Sequence, residues 1–180
     1  MTYVPAVPEN MYQRRMTISP WGSSSEISEV ISIVGGGIAA SVAWPVANQA
    51  YGWPFQLLER TIFYEAFYAA GATAGGNFDI GVFDTAGNLI VNTGLTARVV
   101  SAHTNVALTD TTLEAGRYYA VMTADGTNNY AGWTPVAGLC EVSGLISFAD
   151  APAFAATATF ARTTAAFIPY FGFSVYSVSV

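Results

Sequence analysis

The residues of this chain that could do chemistry are few and far apart. His103 and Cys140 are the only histidine and the only cysteine in 180 residues. A catalytic histidine needs a nucleophile and an orienting carboxylate, and no motif places either beside His103, so we predict a polar surface residue in a loop. Cys140 lies in an apolar stretch, and we expect a buried, unreactive thiol. We therefore predict that the chain is not an enzyme and uses no cofactor.

Four aspartates lie in or beside the junctions between predicted strands and turns: Asp79, Asp84, Asp110 and Asp125. Oxygen atoms gathered from such loops can bind calcium. The sequence has no dense Asp/Asn repeat of the EF-hand type, so turn capping is the favoured interpretation. The Gly-rich segments 35–37 and 71–76 lack the following Lys-Ser/Thr and helix of a phosphate loop. We predict no metal site and no nucleotide site.

One polar loop has the composition of a binding site. Residues 125–133 include Asn128, Asn129, Tyr130 and Trp133. Aromatic rings can stack on sugars while amides bond to hydroxyls, so these four residues are candidate contacts for a host surface glycan or a partner protein. The alternative is that both rings fill the core or a subunit interface, where Trp and Tyr are enriched. We favour this alternative.

The charge content is low for a water-exposed protein. Charged residues make up 10% of the chain, against about a quarter in an average soluble domain. The six basic residues are all arginine and the net charge is −6, which argues against nucleic acid and anionic lipid as partners. Hydrophobic residues make up 52%. This composition favours a surface that is partly covered by other subunits.

The apolar stretches are too short for a transmembrane helix. Gly, Pro or Ser interrupts each of them before about 18 residues. The first residues contain Pro, Glu and Arg where a signal peptide needs an apolar core. We expect synthesis in a reducing cytoplasm without export by a standard signal.

Turn residues recur at intervals of about 8 to 12 residues from residue 26 to residue 150, as in an all-β sandwich or barrel. Residues 61–68 predict a strand with Ile62, Tyr64, Ala66 and Tyr68 on one face. Residues 77–83 predict a second strand, in which Phe78, Ile80 and Val82 alternate as in a half-buried strand. Asp84 opens a hairpin turn in which we expect Gly87 to have a positive φ. A short helix is considered only at residues 46–51.

The two ends of the chain differ from its middle. We predict that residues 1–25 form an extended N-terminal arm and that residues 26–180 form one antiparallel, jelly-roll-like β-sandwich. The arm is either a solvated tail or, as its apolar anchors favour, a segment that docks on a neighbour or on its own domain. The candidate anchors are Tyr3, Met11, Tyr12, Met16 and Trp21. The alternating end, residues 174–180, predicts a strand that closes its own sheet rather than adding to a partner's sheet.

Two segments carry a resemblance to a known group of proteins. Residues 76–84 read GNFDIGVFD and residues 113–122 read LEAGRYYAVM. With the MTYVPAV opening, they resemble small β-sandwich proteins encoded among the structural genes of tailed bacteriophages. The resemblance implies a virion component, either a head decoration protein or part of the tail or fibre apparatus, and it implies no catalytic residues.

The function expected from these observations is that of a non-enzymatic virion subunit. We expect it to associate with copies of itself, with a trimer among the states considered, and with other virion proteins. The alternative is a glycan- or receptor-binding module for host recognition, because Tyr130 and Trp133 lie in a polar loop.

Overall fold

The computed structural model describes residues 13–18, 39–71, 75–99, 103–135, 138–142 and 144–178. The strands are, in chain order, β1 (Gln13–Ile18), β2 (Ala39–Ala43), β3 (Gln49–Leu57), β4 (Thr61–Ala69), β5 (Asn77–Asp84), β6 (Leu89–Asn92), β7 (Thr96–Ala97), β8 (His103–Leu113), β9 (Gly116–Ala124), β10 (Asn129–Trp133), β11 (Ile146–Ala149), β12 (Ala161–Arg162), β13 (Ile168–Pro169) and β14 (Phe171–Val178). A single-turn helix, α1 (Leu139–Val142), precedes β11. In the described ranges no helical segment has the length and apolar character needed to cross a membrane.

The strands of the described ranges form three antiparallel sheets. A seven-stranded sheet has the order β12-β11-β3-β9-β5-β6, and β7 pairs with β5. A four-stranded sheet has the order β1-β14-β4-β8, and a three-stranded sheet has the order β13-β10-β2. The longest uninterrupted ladder joins β3 to β9 over nine residue pairs. The prediction of an all-β fold of antiparallel, sandwich-like layers is confirmed.

The inner face of the seven-stranded sheet forms the main core. Trp53 and Phe55 of β3 point toward the four-stranded sheet, where their ring centroids lie 5.8 Å from Phe171 and 6.1 Å from Phe63. Strand β5 contributes three buried side chains to the same core: Phe78, Ile80 and Val82. The predicted strand and the shared face of these three residues are confirmed, but the strand is not half-buried, because Asp79 and Phe83 on its other face are buried as well. Aromatic pairs of this kind stabilise a core by about 0.5–1.5 kcal/mol each beyond the area they bury.

The outer face of the same sheet is covered by an irregular segment, residues 150–160, which we call the covering segment. Phe154 and Phe160 of this segment pack on Phe83 of β5, with ring centroids 5.2 and 6.0 Å away. Backbone hydrogen bonds fix the segment to the hairpin between β5 and β6. The sheet is therefore buried on both faces around β5, and no residue of β5 is fully exposed. The regular strand that follows the covering segment is β12.

A bulge in β4 breaks the alternation predicted for residues 61–68. Phe63 pairs with Val175 and Glu65 pairs with Ser174, so Tyr64 is the extra residue. An extra residue shifts which face the following side chains point to. Phe63 is therefore in the core before the bulge and Ala66 is in the core after it. Tyr64 instead stacks on Tyr176, with the ring centroids 4.4 Å apart.

Two local predictions are wrong. Residues 46–51 do not form a helix, because a turn there leads directly into β3 at Gln49. His103 does not lie in a loop, since it is the first residue of β8. Its ring stacks on the Phe67 ring of β4, with the two ring centroids 5.3 Å apart. This aromatic contact lies at the end of the pairing between β4 and β8.

The terminal strand closes its own sheet, as the sequence predicts. β14 pairs with β4 on one side and with β1 on the other. Its core side chains are Phe171, Phe173 and Val175. Met16 lies in β1, opposite Val175. The other candidate arm anchors, Tyr3, Met11, Tyr12 and Trp21, lie outside the described residues.

Candidate functional site

The candidate glycan loop presents no exposed ring. Tyr130 is 2% exposed and Trp133 is 7% exposed, and both belong to the main core. The Tyr130 ring packs edge to face on the Trp44 ring, with the ring centroids 5.1 Å apart. Stacking on a sugar requires an accessible ring face, so these two residues do not supply a glycan platform. Their position agrees with the favoured alternative, in which both rings fill the core.

The amides of the same loop hold the fold together. The Asn128 side chain donates a 2.7 Å hydrogen bond to the Gly75 carbonyl. The Asn129 backbone carbonyl accepts a 3.0 Å hydrogen bond from the Gly71 backbone N–H. Both asparagines are half-buried. They join the strand β10 to the loop that follows β4, and that is a structural role.

Arg98 lies against the same group of residues. It is buried, and its guanidinium carbon lies 4.6 Å from the centroid of the Tyr130 ring. The guanidinium also donates to the carbonyl oxygens of Gly71 and Asn129. Burial is the main cause that raises the pKa of the Tyr130 hydroxyl above its ordinary value. The cation therefore stabilises the interior of the sandwich rather than a ligand site.

Among the described residues, Asp79 has a buried carboxylate. It does not cap a turn, contrary to the prediction. The residue is 0% exposed in the middle of the seven-stranded sheet, on the outer face. One carboxylate oxygen accepts from the Asn92 side chain at 2.7 Å and from the Phe154 backbone N–H at 2.8 Å. The Thr93 hydroxyl donates to the other oxygen at 3.1 Å. Asp79 thus attaches the covering segment to the sheet.

The other aspartates behave differently from Asp79. Asp84 caps the predicted hairpin turn by accepting from the Ala86 and Asn88 backbone N–H groups at 2.9 and 2.8 Å, so this turn prediction is confirmed. Asp125 accepts from the backbone and side chain of Asn77. Among the described residues, no group of three His, Cys, Asp or Glu side chains comes together in a way that could hold a metal ion.

Cys140 is buried in α1, as its apolar surroundings in the sequence predict. Burial raises the pKa of its thiol above the ordinary value. A raised thiol pKa lowers the thiolate fraction at neutral pH, and the thiolate is the reactive form. Cys140 is therefore a packing residue.

One groove among the described residues has binding character, and sequence reasoning missed it. It has a volume of about 340 Å³, and its lining includes Pro54, Thr85, Arg117, Tyr119, Gly144 and Arg162. We call it the arginine groove. Its two arginines are 45 positions apart in the sequence and come together only because β9, β3, β11 and β12 belong to one sheet. No local spacing pattern could have indicated this pair.

Gly144 helps to place one of the two cations. A Cβ atom at this position would lie 3.1 Å from the Arg162 guanidinium, and the φ of Gly144 is +82°. A side chain here would crowd the arginine and strain the backbone. Arg162 also donates a 3.1 Å hydrogen bond to the Glu141 carbonyl. The guanidinium is thereby held at the wall of the groove.

Comparison of the chain with protein-family models, with curated proteins and with solved structures finds no match.

Proposed function

We propose that this chain is a non-enzymatic structural subunit of a bacteriophage virion that assembles through its N-terminal arm. The observation that supports the proposal is the pairing of β1 with β14 of the same chain, which makes the arm strand an edge element that copies of the chain could exchange. All six residues of β1 pair with β14, from Gln13 opposite Val178 to Ile18 opposite Phe173. The arm thus supplies the edge strand beside a strand whose other side is already paired with β4.

The connection between β1 and the rest of the fold is long. β1 ends at Ile18 and β2 begins at Ala39, so 20 residues separate them. A connection of this length has a maximum span of about 65 Å. It is therefore long enough for the arm of one copy to pair with β14 of a neighbouring copy. Exchange of an identical element between subunits is a common route to assembly and needs no new contact surface.

The surface composition supports an assembly role. Leu58 and Leu95 are more than 60% exposed, and Val46 and Val99 are more than 50% exposed. Exposed apolar groups and a low charge content are typical of surfaces that become covered. The resemblance of residues 76–84 and 113–122 to phage structural proteins supports a virion as the setting, on the head surface or in the tail or fibre apparatus.

Light scattering of the purified full chain tests the assembly role. We expect an oligomer, and we expect the double substitution Arg15→Pro and Met16→Pro to shift it toward monomer. Alternate residues of an edge strand direct their N–H groups toward the neighbouring strand, so one of two consecutive prolines removes a ladder hydrogen bond.

The matched control carries alanine at both positions and keeps every backbone N–H group, so its oligomeric state should follow the unsubstituted chain. A full chain that stays monomeric at all concentrations contradicts the proposal. An oligomer that persists unchanged in the double proline variant contradicts the role of the arm in assembly. Mass spectrometry of purified virions of the phage that encodes the chain tests the setting, since a virion subunit must be present there.

Host recognition is the second candidate, and one observation favours it. The aromatic loop at residues 125–133 gives it no support, because Tyr130 and Trp133 are buried. The arginine groove does, because it combines cationic side chains with aromatic and apolar walls in a concave site.

A further inference from the structure

We propose that the arginine groove binds a carboxylated sugar, such as a uronic acid residue of an acidic polysaccharide. The proposal concerns a ligand site on the outer face of the seven-stranded sheet and does not depend on assembly through the arm. It rests on the charge of the groove, the chemistry of its walls and the rigidity of the elements that form it.

The groove concentrates positive charge in an acidic protein. The chain has a net charge of −6 and six arginines, and two of these arginines line this single groove. Arg117 and Arg162 are both exposed. Within the described part of the chain, neither guanidinium takes part in an ion pair, since the ion pair found there joins Arg60 to Glu114. Arg162 already donates one N–H to the Glu141 carbonyl, so its remaining N–H groups and the Arg117 guanidinium can meet an outside anion. A guanidinium matches a carboxylate with two parallel hydrogen bonds.

Two carboxylates close to the groove, Asp84 and Glu114, already have other partners. Burial is the main cause that raises the pKa of the Tyr118 hydroxyl, and the nearby charges of Glu114 and Asp84 raise this pKa further. Asp84 accepts hydrogen bonds from its own turn, and Glu114 lies 3.5 Å from the Arg60 guanidinium. Neither acid neutralises Arg117 or Arg162 by direct contact.

The remaining walls suit a sugar ring. Pro54 presents an apolar surface and Tyr119 presents a half-buried aromatic ring. Thr85 adds a hydroxyl at the tip of the hairpin between β5 and β6. Sugars carry both apolar C–H faces and hydroxyl groups, so one ligand can use all three. The volume of about 340 Å³ lies at the lower end of the range for small-molecule sites.

The groove is formed by elements that hold their positions. Arg117 and Tyr119 lie on β9, which pairs with β3 along its whole length. Tyr119 packs on Phe160 of the covering segment with ring centroids 4.8 Å apart. Sites on strands are positioned more rigidly than sites on loops. A preformed site of this kind loses little free energy to ordering when a ligand binds.

Isothermal titration of the full chain with acidic and neutral saccharides tests the proposal. The probes are trimers of galacturonic acid and glucuronic acid and a sialylated trisaccharide, with maltotriose as the neutral comparison and inorganic phosphate as a simple oxyanion. We expect saturable binding of at least one acidic saccharide, weaker binding as salt is added, and no saturation by maltotriose at the same concentrations. Arg117→Gln and Arg162→Gln should each weaken binding about tenfold or more, because each removes charge-assisted hydrogen bonds.

Arg14→Gln is the matched control, since Arg14 lies on β1 of the four-stranded sheet and its removal leaves the pair of Arg60 with Glu114 intact. Its affinity should equal that of the unsubstituted chain, and circular dichroism should show all three variants folded. Absence of saturable binding by every acidic probe overturns the proposal. Equal binding of maltotriose, equal affinity for inorganic phosphate, or unchanged affinity in Arg117→Gln also overturns it.

Discussion

At the scale of single residues, the position of Asp79 is a balance between burial and hydrogen bonding. Burial is the larger effect and raises the pKa of Asp79 above 3.8, while the bonds from Phe154, Asn92 and Thr93 lower it in part. A carboxyl group whose pKa is raised on folding stabilises the folded state fully at pH below 3.8. That contribution is lost as the pH rises through the folded pKa.

The pH dependence of unfolding tests this balance. Asp79→Asn keeps the shape of the side chain and removes its titration, so the free energy of unfolding of the unsubstituted chain, relative to the variant, should fall as the pH rises from below 3.8 to neutral. Urea unfolding at several pH values measures it. Asp79→Ala should cost about 2–4 kcal/mol at any of these pH values, because the donors of Asn92 and Phe154 lose their acceptor.

Asp84 provides the control with the opposite sign. Its turn hydrogen bonds, with that from the Asn88 side chain first, lower the pKa of this carboxyl. A lowered folded pKa gives stability that is present above 3.8 and is lost as the pH falls. Relative to Asp84→Asn, the unsubstituted chain should therefore gain stability as the pH rises. If the unsubstituted chain also gained stability with rising pH relative to Asp79→Asn, the hydrogen bonds to Asp79 would outweigh the effect of its burial on the pKa.

At the scale of elements, the covering segment depends on the hairpin between β5 and β6. Gly87 at the tip of this hairpin has a φ of +88°, as its place in the turn predicted, and a Cβ atom there would collide with the Ala158 carbonyl oxygen. The Ala158 N–H donates a 2.8 Å hydrogen bond to the Gly87 carbonyl. A side chain at position 87 would push the two elements apart.

Gly87→Ala should destabilise the fold by about 1–3 kcal/mol through backbone strain and this collision. Gly94→Ala is the matched control, because Gly94 has a φ of +67° and a Cβ atom there would have no neighbouring atom within 4 Å. It should lose only the strain contribution, so the difference between the two variants measures the contact with the covering segment. Hydrogen exchange should show faster exchange at the Leu89 and Ala158 amides, which donate the two bonds between the hairpin and the covering segment, in Gly87→Ala alone. Equal losses of stability in the two variants would contradict the contact.

The elements also show where sequence reasoning succeeds. The turn opened by Asp84 was predictable because its acceptor and its donors lie within four residues of one another. The bulge at Tyr64 was not, because the alternation of types across residues 61–68 is regular and the extra residue is defined only by the pairing of β4 with β14. The burial of Asp79 depends on Phe154, which is 75 positions away. The arginine groove was not predictable for the same reason, because Arg117 and Arg162 are far apart in the sequence.

At the scale of the whole molecule, the fold is stabilised by its two aromatic cores and little by surface charge. Among the residues that the structure describes, the ion pair of Arg60 with Glu114 joins two exposed side chains. Exposed pairs of this kind contribute about 0–1 kcal/mol. A surface with few charges has little electrostatic protection against association, so a defined partner for the open side of β14 becomes important. The arm strand β1 is that partner, and its origin in the same chain or in a neighbour decides how the protein assembles.

A cross-strand disulfide distinguishes the two origins. Thr17 of β1 lies opposite Ser174 of β14, and directly opposed residues have Cβ atoms close enough for a disulfide. If the arm of one copy pairs with the next copy, as we propose, the variant Thr17→Cys with Ser174→Cys, in a Cys140→Ala background, should form covalent multimers on oxidation. A non-reducing denaturing gel would show a ladder, and its longest member gives the number of copies in a closed ring. Each single-cysteine variant is a control and should form at most a dimer. A double variant that oxidises fully while remaining a single chain would show that the arm belongs to its own sheet, and assembly through arm exchange would be wrong.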